Sequence, residues 1–371
     1  MALGRPATLR DVQVIGTGLW EGEPIHNTDV PSLGAPKTTR DPFKGKPDEH
    51  GVVRIAGMAF DSSRYARTIA AIGRAFDDPF RGTKRRRFFP RSLRVSDAEA
   101  EAGRAALADA GVAAEDVDAV LVQSFVPDEI QPKNASLVAE ALGIRRAFAW
   151  GVDSVCNSVL SQMNVGASLI VSGQAETVLC VVSTAYSRVA DPGLSATVQE
   201  GDMAGAMVLA RRPGKRMDFS WRTDGRLHAA IRLAWDVPTD APARRWWEPS
   251  QEQLVIRFSP ELQQQVMGEL TVQMTALSHE ALARGEMALD EVDVVLSHQP
   301  MSWYGELMAD TLGLKDDVVF HTFEEYANIN SASLAASLHH ARKAGRIRDG
   351  SNVLFFCPAA GYVFGAAAVR W

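Results

Sequence analysis

The chain has 371 residues, of which 46% are hydrophobic and 23% charged, with a formal net charge of −6. These proportions are typical of a globular protein, and the length allows two domains or two fused halves. The negative charge argues against nucleic acid as the main partner. No stretch supplies the roughly 20 consecutive apolar residues of a membrane span, and the start lacks the apolar core of a signal peptide. We therefore expect a cytoplasmic protein that does not enter a membrane.

The predicted elements alternate between strands and helices. An opening strand at 12–16 precedes the stretch 21–52, whose Pro, Gly, Asp and Lys residues predict a loop. Helices follow at 64–76 and 96–110, the second with Ser96 as its expected N-cap. The next elements are strands at 117–123, 147–152, 177–183 and 203–211 and helices at 135–142 and 156–173. Nearly continuous apolar strands separated by helices predict an α/β sheet that is covered on both faces.

The rest of the chain repeats this alternation after an irregular stretch. Residues 221–257 contain prolines and the pair Trp246-Trp247, which predicts a long loop with an exposed aromatic element. A long helix is expected at 261–284. After it come strands at 292–297, 318–321, 352–357 and 361–370 and helices at 302–312 and 329–344.

Three short motifs occur in the same order in both parts of the chain. The first part contains VDAVL at 117–121, LGI at 142–144 and GAMVLAR at 205–211. The second contains VDVVL at 292–296, LGL at 312–314 and GAAAVRW at 365–371. This repetition predicts two pseudo-symmetric halves, 1–212 and 213–371.

The two halves carry different reactive side chains. Cys156 lies between a strand and a long helix, whose N–H groups should lower the pKa of its thiol and make it a nucleophile. His298 follows an apolar strand, at the end where α/β proteins bind ligands, and Asn328 lies near a helix start. Burial in the core is the alternative for Cys156 and His298, and helix capping for Asn328. A thiol from one half with imidazole and amide from the other indicates an enzyme that handles thioesters.

The remaining cysteines and histidines indicate no further site. Cys180 and Cys357 lie in apolar runs and should be small buried residues in strands. Three cysteines do not suggest a disulfide framework, and the eight histidines show no metal-ligand spacing such as HExxH. We expect no metal and no cofactor other than thioester substrates.

From about Arg81 to Trp371 the chain resembles the β-ketoacyl-ACP synthase III group of thiolase-fold condensing enzymes. The motifs that carry the resemblance are Asp153-Ser154-Val155-Cys156, Gly201-Asp202-Met203-Ala204-Gly205-Ala206, His298-Gln299-Pro300, Tyr326-Ala327-Asn328 and Ala360-Gly361-Tyr362-Val363-Phe364-Gly365. The resemblance implies an α/β thiolase fold with a five-layered αβαβα arrangement. It also implies a homodimer that uses acyl carrier protein or coenzyme A thioesters.

The resemblance implies a role for each matched residue. Cys156 would attack an acyl thioester and hold the acyl group. His298 and Asn328 would donate hydrogen bonds to the thioester carbonyl of a malonyl-type substrate, whose enolate, formed on decarboxylation, attacks the acyl-cysteine. The backbone N–H groups of Cys156 and Ala360 would form the oxyanion hole.

Departures from the family pattern concern the substrate. Asp77 lies where a tryptophan commonly stacks on the adenine of coenzyme A, and Trp303 replaces the usual basic residue five positions after the histidine. Gln131 is polar where the family often supplies an aromatic wall to the partner subunit's acyl pocket. We assign Gln131, Trp303 and Gly361 to the substrate pocket. The departures favour a carrier-protein or unusual donor and polyketide or other secondary metabolism.

A basic cluster runs from Lys84 to Arg87. It indicates either a solvated loop or a docking surface for a phosphorylated or acidic carrier, and we assign Arg81, Arg85 and Arg87 to carrier docking.

Four functions remain open. A decarboxylating condensation leads because Asn328 is intact, whereas an acidic residue there would favour acyl transfer. The alternative is transfer of the acyl group from Cys156 to a hydroxyl, amine or thiol, with His298 as the general base. A non-catalytic partner subunit and a cysteine hydrolase are the remaining hypotheses.

Overall fold

A computed structural model describes residues 9–27, 45–55, 57–190, 197–236, 246, 248, 251–315 and 317–371. Parts of the two predicted loops, including 28–44, 237–245 and Trp247, lie outside these ranges. Within the described residues, the strands are β1 Leu9–Trp20, β2 Ile25–His26, β3 Val52–Ile55, β4 Met58–Asp61, β5 Arg85–Arg86, β6 Ala119–Ser124, β7 Phe148–Gly151, β8 Thr177–Ala185, β9 Asp202–Thr223, β10 Ile231–Trp235, β11 Leu254–Phe258, β12 Val294–Ser297, β13 Asn352–Ala359 and β14 Val363–Arg370. The helices are α1 Ala66–Asp77, α2 Val95–Ala110, α3 Ala135–Ala141, α4 Ser158–Val171, α5 Pro260–Arg284, α6 Tyr304–Leu312, α7 Phe323–Tyr326 and α8 Ala332–Lys343.

The long strand β9 joins the two halves of the central sheet. The strand order is β12-β13-β14-β9-β8-β6-β7, and β1 pairs antiparallel with β9. From Asp202 to Ala210, β9 pairs with β8, and from Arg216 to Thr223 it pairs with β14. The half boundary predicted between 212 and 213 lies in the part of β9 between these two pairings.

Three hydrophobic clusters divide the molecule into layers. Alternate side chains of a strand face opposite sides, so that Val178, Cys180 and Val182 of β8 belong to one cluster and Leu179 and Val181 to another. The central cluster contains α4 and α8 and one face of the strands of both halves. The outer clusters contain α2 and α3 on the first half and α1, α5 and α6 on the second. The order is αβαβα, which confirms the predicted fold class.

Long-range pairing changes several predicted elements. The expected loop 221–257 is wrong over much of its length, because β9 continues to Thr223 and an antiparallel hairpin pairs Ile231–Trp235 with Leu254–Phe258. The strand expected at 318–321 is reduced to a single bridge between Val295 and Val319. Such pairings depend on distant partners, which local sequence patterns do not encode.

The N-terminus of α2 also differs from the expectation. Ser96 is not its N-cap: the Asp128 carboxylate, from the loop after β6, accepts from the N–H groups of Val95 (2.7 Å) and Ser96 (3.2 Å). A carboxylate from another element can replace a local capping side chain because it supplies the same acceptor. Among the described residues, no helix combines the length and the apolar character needed to cross a membrane.

Candidate active site

Cys156 lies in the single turn Val155–Asn157 between β7 and α4. Val155 has a φ of +55°, which is uncommon for a β-branched residue. Two side chains stabilise the turn through the backbone of Val155. Asp153 Oδ1 accepts from the Val155 N–H (2.8 Å), and Ser158 Oγ donates to the Val155 carbonyl (2.7 Å). These contacts fix the thiol at the N-terminal end of α4, in the central layer.

Two backbone N–H groups are directed at the thiol of Cys156. Burial raises the pKa of this thiol to about 12, while hydrogen bonds from the N–H groups of Ala360 and of Cys156 itself act to lower it. The structure therefore brings together the two donors to which the family resemblance gives the role of an oxyanion hole. The expected lowering of the pKa is wrong, because the cost of burying the thiolate exceeds the stabilisation by these donors.

His298 follows β12 and is 2% exposed. Its backbone N–H donates to the Phe356 carbonyl of β13 (3.2 Å). The loop after it is fixed by Gln299, whose Nε2 donates to the Phe320 carbonyl (2.6 Å) and whose Oε1 accepts from the Thr322 N–H (3.0 Å). Burial lowers the pKa of His298 to about 3. The imidazole is therefore neutral at physiological pH.

Asn328 links the two halves through its backbone. Its N–H donates to the Gln199 carbonyl (2.7 Å), and its own carbonyl accepts from the Gly201 N–H (3.1 Å). Its side-chain Oδ1 accepts from the Asn330 N–H (3.0 Å). Because Oδ1 has this partner, the amide is oriented and its NH₂ group is the one presented as a donor.

The end of β13 brings three of the predicted residues together. The carbonyl of Phe356 accepts from His298, and the next residue, Cys357, donates from Sγ to the Cys156 carbonyl (3.1 Å). Ala360 is the first residue after the strand. One strand thus positions the thiol, the imidazole and the second oxyanion donor.

Tyr186 connects Asn328 to this group, and sequence analysis missed it. Burial and the negative charges of Cys156 and Glu200 raise the pKa of the Tyr186 phenol well above its usual value, and hydrogen bonds from the side chains of Asn330 and Asn328 oppose the rise. The phenol therefore lies within electrostatic range of the Cys156 thiol and near the Asn328 and Asn330 amides. The available signal was the position of Tyr186 directly after an apolar strand, at the same sheet edge as Cys156.

Comparison with known proteins relates the chain to one enzyme family. The family models for 3-oxoacyl-[acyl-carrier-protein (ACP)] synthase III and for its C-terminal part match residues 151–225 and 282–371. The β-ketoacyl-[acyl-carrier-protein] synthase III of Anaplasma marginale (strain St. Maries) is 30% identical over 296 residues, covering 78% of this chain and 88% of the relative. The chain belongs to the β-ketoacyl-ACP synthase III family.

Other family members are similar to this chain in sequence or in fold. The enzyme of that name from Roseobacter denitrificans is 31% identical over 300 residues, with 88% of the relative covered. Among solved structures, the 3-oxoacyl-(acyl carrier protein) synthase III of Pseudomonas aeruginosa PAO1 superposes with a TM-score of 0.76 at 25% identity, covering 98% of each chain. The synthase III of Aquifex aeolicus VF5 has a TM-score of 0.74 at 21% identity, covers 97% of this chain and 100% of its own, and is similar in fold.

The predicted pocket residues of this synthase III family member lie in three different places. Gln131 is exposed in the loop before α3. Gly361 follows the oxyanion donor Ala360, and a Cβ at this position would lie 3.7 Å from His228 Nδ1. Trp303 is 6% exposed and packs in the outer cluster with α1, α5 and α6. Its assignment to the pocket stays a prediction.

The three arginines assigned to carrier docking all have partners within the chain. Arg81 donates to the carbonyl of Phe76 at the end of α1 (3.0 Å). Arg85 and Arg87 form ion pairs with Glu325 at 2.6 and 2.9 Å. The Arg87 side chain is 8% exposed, so it does not face a docking partner and its assignment is corrected. Among the described residues, no group of His, Cys, Asp and Glu side chains is arranged to hold a metal ion.

Proposed function

We propose that this protein is a decarboxylating condensing enzyme in which Cys156 carries the acyl group. The observation that supports this most directly is the pair of N–H groups, from Cys156 and Ala360, directed at the buried thiol. When the sulfur attacks a thioester carbonyl, these donors would hold the negative oxygen. The new C–S bond forms, the carrier thiol leaves, and the cysteine proton goes to that thiol.

The second half-reaction would use His298 and Asn328. A malonyl-type thioester would accept hydrogen bonds at its carbonyl oxygen from the imidazole and from the Asn328 amide. Loss of CO₂ leaves the bonding electrons in an enolate, whose carbon attacks the acyl carbon and expels the Cys156 sulfur. Neutral donors suit this step, because charge develops on the oxygen while no proton has to be transferred first.

The buried state of His298 favours condensation over acyl transfer. Transfer to a hydroxyl or amine would require the imidazole to accept a proton from the acceptor. Burial lowers the His298 pKa to about 3, which makes the protonated imidazole unfavourable at neutral pH. Donation by the neutral ring carries no such cost.

Acyl carrier protein and coenzyme A thioesters are the proposed substrates, with no other cofactor. The names of the related enzymes, which include the acyl carrier protein, support this assignment. Arg81 and Arg85 remain the proposed docking residues, since Arg85 is exposed beside Lys84. We propose a role in polyketide or other secondary metabolism from the sequence alone. Gln131 replaces an aromatic residue that is frequent in the family, and Asp77 replaces its common tryptophan.

We further propose a homodimer that forms through β7, the last strand of the sheet order. Phe148 and Trp150 of this strand are 60% and 38% exposed, with ring centroids 5.8 Å apart. An edge strand with exposed aromatic residues is a surface that soluble proteins normally cover. Gln131 is exposed in the loop that leads to α3, which packs against β7, so it would lie near the partner subunit.

Separate measurement of the two half-reactions tests the proposed function. Acyl loading is followed by intact-protein mass with acyl-CoA and acyl-carrier donors, and condensation by CO₂ release from malonyl-carrier protein. We expect Cys156→Ala to abolish loading, with Cys180→Ala, a buried cysteine of β8, as the matched control. His298→Ala and Asn328→Ala should load normally but release CO₂ at least about a hundredfold more slowly. Complete loss of loading in both folded variants would contradict the assigned roles.

A further inference from the structure

Tyr186 is a polar side chain of the site that the proposed reaction does not use. It is 8% exposed and lies directly after β8. Because β6, β7 and β8 are parallel, the residues that follow them gather at one edge of the sheet, which brings Phe125, Cys156 and Tyr186 together. The ring of Tyr186 lies 5.1 Å from that of Phe125.

The ring of Tyr186 packs against apolar side chains. The ring forms a small hydrophobic cluster with Val189 and Ile256, against which Phe125 and Val126 pack. This cluster is separate from the three main cores. An acyl chain carried by Cys156 and extending along it would meet hydrocarbon walls and one hydroxyl group.

The hydrogen bonds of Tyr186 determine what its hydroxyl can offer. A phenol has one donor hydrogen and two acceptor positions. Asn330 Nδ2 donates to the Tyr186 oxygen at 3.2 Å, so the phenol acts as an acceptor toward Asn330. Its single hydroxyl hydrogen is not used in that bond and can be donated to another group.

We propose that Tyr186 is a specificity-determining residue that donates a hydrogen bond to an oxygen on the acyl chain carried by Cys156. The site would then take 3-hydroxyacyl or 3-oxoacyl thioesters in preference to saturated ones of the same length. A buried donor discriminates in this way because a saturated chain leaves it without a partner, at a cost in free energy. This inference rests on the proposed loading of Cys156.

Loading rates with two matched donors test the inference. The rate constants kcat/KM for loading of the full chain are measured by intact-protein mass with butyryl-CoA and 3-hydroxybutyryl-CoA. We expect the wild type to prefer the hydroxylated donor, and Tyr186→Phe to lose about tenfold or more on that donor alone. Tyr304→Phe is the matched control, because the buried Tyr304 hydroxyl has no hydrogen-bond partner among the described residues. Melting temperatures of both variants verify folding.

Several outcomes would overturn the inference. A wild type without preference between the two donors contradicts it, whether or not Tyr186→Phe folds. An equal loss on both donors would show that Tyr186 acts in loading itself and not on an oxygen of the acyl chain, and no loss on either would leave its hydroxyl without a role in loading. If neither donor, nor any other thioester, loads Cys156, the proposed function itself fails and the inference fails with it.

Discussion

Raising the pH should accelerate acyl loading of Cys156 about tenfold per unit across the range in which the protein stays folded. Burial raises the thiol pKa to about 12, despite the N–H groups of Ala360 and Cys156 that oppose the rise. An acid with a raised pKa is protonated below it, so the thiolate fraction grows with pH up to that value. At pH 7 the fraction is about one in 100,000, against about 3% for an exposed cysteine of pKa 8.5. Protonation of His298 does not affect the pH dependence of the loading rate in this range, because burial lowers the His298 pKa to about 3.

The assay is the initial rate of loading between pH 6.5 and 9.5, measured by quenching and intact-protein mass at one acyl-CoA concentration. Cys156→Ala measures the background from Cys180 and Cys357, and circular dichroism verifies that the protein remains folded at each pH. The logarithm of the rate should rise linearly with a slope of one. A plateau that begins below about pH 9 would refute the reasoning, since it would show that the donors stabilise the thiolate more than burial destabilises it.

Three further predictions concern stability and assembly. Asp109→Asn should lower the free energy of unfolding by about 2 kcal/mol and the melting temperature by several degrees, because Asp109 accepts hydrogen bonds from Thr17, Arg342 and Lys343 and joins α2 to β1 and α8. Asp116→Asn, at an exposed position, is the control and should leave the melting temperature unchanged. Equal effects of the two variants would contradict this role of Asp109. Burial raises the Glu99 pKa to about 7, so wild-type stability should fall as the pH rises from about 4.5 through 7. Urea unfolding at pH 5 and 8 should show this loss of stability, on the order of 3 kcal/mol, in the wild type and not in Glu99→Gln. If the stability of both proteins changes equally with pH, Glu99 does not titrate in this range. The double variant Phe148→Asp, Trp150→Asp should be monomeric by light scattering where the wild type is dimeric, and a monomeric wild type would refute the interface.

The sequence alone predicted most of the regular elements, and the family resemblance implied the layer order. The repeated motifs at 117–121 and 292–296 and the alternation of strands and helices are local patterns, and short-range hydrophobic periodicity is sufficient to read them. The predictions failed where an element depends on a distant partner. The continuation of β9 past residue 211, and the hairpin of β10 and β11, require pairing that no local window contains.

The same division holds for the site. The sequence determined which groups are present, since the chemistry of Cys156, His298 and Asn328 belongs to the residues themselves. Only the tertiary structure decided their pKa values and the residues that surround them. Burial reversed the expected shift of the Cys156 pKa, and the parallel strands placed Tyr186 at the sheet edge where Cys156 also lies. The physical reason is that desolvation and contact depend on everything that surrounds a group, and those surroundings come from segments far apart in the chain.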